Sequence, residues 1–126
     1  MTRVVEWCKR QGLNIVLDLH KAYGYDFNNA GDKEKNILFT NKMVQKRFVN
    51  LWIKIAEHYA NETHVAFELL NEVVEQENAE AWNLLIAETV DNPWPFRIPH
   101  TSQLFAAMKK KSIHQRSFRI SRSVRS

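Results

Sequence analysis

The sequence predicts an α/β fold built on parallel strands. Three observations predict it. Two short apolar runs, Ile15-Val16-Leu17-Asp18-Leu19-His20 and Val65-Ala66-Phe67-Glu68-Leu69-Leu70-Asn71-Glu72, each end abruptly in polar residues. A segment of clear helical periodicity, Asn41 to Ala60, separates them. Both runs are apolar at nearly every position, as in parallel sheets covered on both faces. In parallel α/β folds the chemistry gathers where the strands end, so both polar endings fall at one edge of the molecule.

The elements follow in order. Thr2 to Gln11 reads as a helix, with Val4, Val5 and Cys8 on one face and Trp7 alongside. Thr2 suits the N-cap, Lys9 and Arg10 suit the negative end of the dipole, and Gly12 suits the position after the helix. Asn14 to Leu19 is the first strand. Alternation places Val16, Asp18 and His20 on one side of it, and Ile15, Leu17 and Leu19 on the other. Lys21 to Phe39 is a long loop carrying Tyr23, Tyr25, Phe27 and Phe39. Long loops of this kind are often functional. Its rings either meet the apolar faces of a ligand or pack onto the body of the protein, and different rings can do different things.

In the central helix Val44, Phe48, Leu51, Trp52, Ile55 and Tyr59 form one continuous stripe, which is core, and Thr40 or Asn41 caps it. His58, near its end, lies outside the chemistry. Val65 to Leu70 is the second strand, and Asn78 to Val90 a third helix with Trp82, Leu85 and Ile86 inward. Asp18 and Glu68 are charged positions inside apolar strands. Buried charges are rare unless paired, so both read as structural. Alternation puts Glu68 on the side of Glu72, but about 13 Å along the strand from it.

Composition narrows the classes. The chain has 126 residues and one cysteine, Cys8, so an intramolecular disulfide framework is excluded. No apolar run approaches the roughly 20 residues of a membrane span, and no signal peptide is visible at the printed start. No His-Glu-x-x-His, phosphate-binding glycine loop or serine nucleophile elbow occurs, and the five histidines lack metal spacing. No cofactor is expected. The net charge of +4 is unevenly distributed. Residues 1–90 carry 10 Lys and Arg against 13 Asp and Glu, whereas 91–126 carry 8 basic residues against Asp91 alone.

Leu17-Asp18-Leu19-His20 followed by Phe67-Glu68-Leu69-Leu70-Asn71-Glu72 resembles the third and fourth strands of glycoside hydrolase family 5, the cellulase family, over roughly residues 1–90. The resemblance implies part of a (β/α)₈ TIM barrel, which in full needs about 250 residues. It also implies hydrolysis of the O-glycosyl bonds of a β-glucan with retention. Retention takes two carboxyl groups about 5–5.5 Å apart, one protonating the leaving oxygen and one attacking the anomeric carbon. By position in the motif, Glu72 is the general acid/base and Asn71 the donor to the sugar 2-hydroxyl. His20 contacts substrate or orients the carboxylates. Tyr23 and Tyr25 in the long loop are further candidate contacts to the sugar.

The family takes its nucleophilic Glu from the seventh strand, and no residue of this chain matches it. Its His-x-Tyr motif, the Arg of its second strand and the Trp after its eighth are likewise unmatched. The isolated chain is therefore expected to show little or no activity. The implied partner is a polysaccharide or oligosaccharide, and the parent enzyme would act outside the cell. The competing class is a noncatalytic protein binding carbohydrate or a polyanion.

Beyond residue 90 the pattern changes. All three prolines fall within 93–99, Lys109-Lys110-Lys111 follows, and 112–126 is dense in Ser and Arg. Domain 1–90 is thus expected to be partial barrel, and 91–126 an irregular or disordered basic tail. Leu104 to Met108 has the composition of a short helical turn. The tail reads as out-of-frame or otherwise non-native sequence, as a genuine disordered segment, or as a basic arm for nucleic acid or another acidic surface.

Overall fold

The computed structural model describes residues 2–74, 76–91, 104–106 and 118–120. Helix α1 spans Thr2–Arg10 and strand β1 Ile15–Asp18. After the long loop come helix α2, Lys42–His58, strand β2, Val65–Glu68, and helix α3, Ala79–Asp91. Short 3-10 turns at Phe27–Asn29 and Gln76–Asn78 punctuate the connections.

Strands β1 and β2 pair in parallel, Ile15 with Val65 through Asp18 with Glu68. The parallel arrangement expected from the two apolar runs is therefore present. The ladder runs on past both strand ends, through Leu19 N–H to Glu68 O at 3.2 Å and Asn71 N–H to Leu19 O at 3.1 Å.

Two three-residue strands extend the sheet, β3 at Leu104–Ala106 and β4 at Phe118–Ile120. β3 pairs in parallel with β2, and β4 antiparallel with β3. Leu104–Ala106 is thus strand rather than the expected helical turn. The free edge of β2 presents unpaired N–H and C=O groups, and pairing with that edge overrides a weak local helical preference. The rest of the stretch expected to be an irregular tail, including Lys109 to Lys111, lies outside the described residues.

Helix α2 is capped by Asn41, not Thr40. Asn41 Oδ1 accepts from the N–H of Met43 at 3.0 Å and of Val44 at 3.2 Å, whereas Thr40 Oγ1 donates back to Ile37 O. Val44, Phe48, Trp52 and Tyr59 are buried as the stripe predicts. Leu51 is not, at 40 % exposure, while Gln45 and Val49 turn inward. One residue is a 100° step, so the buried face is centred between the 44-48-52 row and the 45-49 row, and Leu51 lies off the opposite flank.

The core lies between α2, α3 and one face of β1–β2. Phe67 of β2 packs against Trp52 and Tyr59, with ring centroids 5.8 and 6.4 Å away. Trp82 of α3 meets Phe48 and Phe39 edge-on. Trp52 Nε1 donates to Leu69 O at 3.1 Å, which ties α2 to the exit of β2. Thr89, fully buried, returns its hydroxyl to Leu85 O at 2.7 Å. Helix α1 is held by buried Val5, by His64 Nε2 against Val5 O and by Lys9 to Glu62 at 2.9 Å. Its other apolar side chains stay outside, Val4 and Trp7 both more than half exposed. Val16, on the sheet face away from α2, is likewise exposed.

Candidate active site

The site grows from the two strand exits. The bond from Asn71 N–H to Leu19 O sets the segment after β2 beside the segment after β1. Their next residues are Glu72 and His20, so the polar endings legible in the sequence do share one edge. Glu72 is half-buried and takes φ +47°. A left-handed backbone is unusual for a residue with a side chain and costs of the order of 1 kcal/mol or more.

Part of what holds Glu72 there is Tyr25. The Tyr25 hydroxyl donates to Glu72 O at 2.8 Å and accepts from Val74 N–H at 3.2 Å. The ring is 2 % exposed and packs edge-on to Phe39. Tyr25 is therefore not placed to touch a ligand, as the sequence suggested, but to brace the loop that carries Glu72. Burial of a phenol requires a partner for its hydroxyl, and here the partner is the backbone of the site.

Tyr23 is the opposite case. It is 62 % exposed, and the Arg47 guanidinium lies 4.1 Å from its ring centroid. One face of the ring is thereby occupied by a cation from α2. The aromatic loop divides as its two readings allowed, with Tyr25 and Phe39 as packing rings and Tyr23 as a surface ring.

The loop is rigid for reasons only partly visible in the sequence. Ala22 and Tyr25 exchange backbone hydrogen bonds across Gly24, which sits at φ +78°. A Cβ on Gly24 would meet Val44 Cγ1 at 2.8 Å. Asn36 is buried and ties its end of the loop to the turn at 26–29. It accepts from Asp26 N–H and donates to the carbonyls of Asp26 and Asn29. Asp26 also caps the 3-10 turn and pairs with Lys21 at 2.6 Å, which, with the Asn28 N–H, holds its carboxyl below the ordinary range.

His20 is exposed. Its Nδ1 stands 3.5 Å from Asp18 Oδ2, and its ring meets Phe27 edge-on at 5.7 Å. Asp18 and Glu68 face each other across the parallel register. Burial, and then the Asp18 charge, push the Glu68 carboxyl up. Sequence reasoning passed over Asn36, Arg47 and the Asp18–His20 contact. An Asn among loop asparagines and an Arg on an exposed helix face carry no signal of their own. Only the i, i+2 spacing of Asp18 and His20 hinted at their meeting. Among the described residues, no cluster of three metal-ligating side chains occurs, and no helix is long and apolar enough to cross a membrane.

Parallel strands thus deliver Asn-Glu and His to one edge, the strand-end arrangement of parallel α/β folds. The comparisons agree and go further. Residues 1–111 match the family model described as cellulase (glycosyl hydrolase family 5), and the chain belongs to that family. It is 48 % identical over 89 residues to an endoglucanase C of Acetivibrio thermocellus, covering 70 % of this chain and 25 % of that protein. It is 44 % identical over 82 residues to cellodextrinase A of Ruminococcus flavefaciens, covering 64 % of this chain and 24 % of that one. A crystal structure of a glycoside hydrolase superposes with a TM-score of 0.69 at 25 % identity, covering 82 % of this chain and 33 % of that one. The fold is that of part of a (β/α)₈ barrel, and the chain spans about a quarter of the length of these curated relatives.

Proposed function

We propose that this chain carries the acid/base half of a retaining β-glucan hydrolase site. Glu72 is the group that protonates the leaving glycosidic oxygen and afterwards activates water. Asn71 meets the sugar 2-hydroxyl, a contact that strengthens in the transition state. His20 meets substrate from the neighbouring strand, and Tyr23 offers it an exposed ring. The observation that carries the reading is the Asn71–Leu19 hydrogen bond, which sets the two polar strand exits side by side. Family membership and the likeness to an endoglucanase and a cellodextrinase support it.

The other half of the reaction is a nucleophilic carboxylate opposite Glu72, and no residue of this chain matches the family's. Removing one member of a catalytic unit removes most of its rate. The 126-residue chain alone should therefore turn over an aryl β-cellobioside no faster than its Glu72→Gln variant. Turnover abolished by Glu72→Gln would overturn that expectation. The role of Glu72 is tested by grafting residues 1–90 into the Acetivibrio endoglucanase in place of the matching segment. The chimera should be active, and Glu72→Gln in it should cost about 10²–10⁴-fold in kcat on an unactivated glucan. A chimera indifferent to Glu72→Gln would refute the assignment.

A second reading, sugar binding without hydrolysis, draws on the exposed Tyr23 ring over Arg47. It requires saturable binding of a cello-oligosaccharide by the isolated chain, lost on Tyr23→Ala. Binding of a polyanion through 91–126 would instead fall steeply with salt.

A further inference from the structure

The sheet face away from α2 carries a group of three titratable side chains. Asp18 and Glu68 stand opposite each other in the β1–β2 register. His20 follows Asp18 by two residues, on the same side of the extended chain, with Nδ1 3.5 Å from Asp18 Oδ2. Phe27 flanks the ring edge-on at 5.7 Å. The imidazole is thus bracketed by a carboxylate at one nitrogen and an aromatic ring at its side, while remaining exposed.

We infer that Asp18 is a positioning residue for His20, accepting a hydrogen bond from Nδ1–H so that Nε2 is left bare to accept one from a ligand hydroxyl. Which ring nitrogen of a neutral histidine carries the proton is set by the partner of the other, and a carboxylate can only accept. Glu68 stands beside this pair on the next strand. Two carboxyl groups on adjacent strands repel when both are charged, and burial, then the Asp18 charge, push the Glu68 carboxyl up.

The consequence is chemical. A bare Nε2 reads hydroxyl donors, the commonest group on a sugar, and gives no proton to a leaving oxygen. Proton donation then rests with Glu72 alone. Only this last step depends on the glycosidase reading above; the Asp18–His20 relation does not.

The test is long-range ¹H–¹⁵N correlation of the imidazoles in the full 126-residue chain at mildly alkaline pH, with His20 assigned by His20→Gln. His20 should be mainly the Nδ1–H tautomer. In Asp18→Ala that tautomer should fall from majority to minority, with folding checked by the indole resonances. In Glu68→Gln, which leaves the Asp18 carboxylate beside His20, it should persist. A majority Nε2–H tautomer in the wild-type chain overturns the inference, and this reading decides the matter even if Asp18→Ala fails to fold. An unchanged tautomer in folded Asp18→Ala, or its loss in Glu68→Gln, overturns it as well. The spectrum contains no activity readout, so this inference and the catalytic role of Glu72 can fail separately.

Discussion

At the scale of the residue, the site depends on groups that never touch a ligand. Tyr25 shows how. Its hydroxyl serves one carbonyl and one N–H of the segment that carries Glu72, and that segment includes a left-handed residue. Tyr25→Phe leaves both groups without this partner and should lower stability by about 1–3 kcal/mol, read from urea unfolding. In the chimera described above it should also depress kcat, because Glu72 loses a support rather than a contact. Glu68 makes a prediction about pH. Its carboxyl is pushed up from an ordinary 4.5, so the folded state favours the protonated form. Stability from this group is complete below the unfolded value and is lost as pH rises through the folded one. Glu68→Gln, uncharged throughout, should therefore gain on wild type as pH rises past about 4.5, and match it more closely below. A stability difference that does not change with pH would contradict this.

At the scale of the element, the long loop after β1 is a built structure. Asn36 fastens it from within, Gly24 lets it approach α2, and Asp26 caps its 3-10 turn. Gly24→Ala meets two penalties at once, a positive φ and a Cβ 2.8 Å from Val44 Cγ1. A loss of about 1–3 kcal/mol in thermal or urea unfolding is expected. The stripe of α2 was legible because helical periodicity reports burial directly. Its exact centre was not, because Leu51 and Val49 are equally apolar and only the packing partners choose between them. Cap identity was similarly open in the sequence. Thr40 and Asn41 are both competent caps, and the geometry of the loop selected Asn41.

At the scale of the whole molecule, β1 and β2 have one covered face and one open one. Core side chains of the covered face, such as Leu17 and Phe67, each contribute about 1.5–3 kcal/mol by burial. Val16 on the open face stays 53 % exposed. In a complete barrel this face would be interior, so Val16→Lys should separate the two situations. In the 126-residue chain it should change stability by no more than about 0.5 kcal/mol. In the chimera with the Acetivibrio endoglucanase it should be strongly destabilising, since it buries an unpaired charge. Equal effects in both settings would mean that the open face is not the barrel interior.

What the sequence determined by itself was what local rules can carry. Apolar runs ending in Asp-Leu-His and Asn-Glu declared two strands and a shared edge, because burial on both faces and polar exits are written residue by residue. The motif at those exits declared the family. What only the tertiary structure decided was the use of chemically similar groups. Tyr23 and Tyr25 lie two positions apart in one loop, yet one is a surface ring over Arg47 and the other a buried brace under Glu72. Asp18 and Glu68 read alike as charges in apolar strands. They differ because Asp18 stands 3.5 Å from His20, whereas burial, then the Asp18 charge, push the Glu68 carboxyl up. Composition and spacing specify which groups are present, whereas desolvation and partner choice depend on residues brought close by the fold from far along the chain.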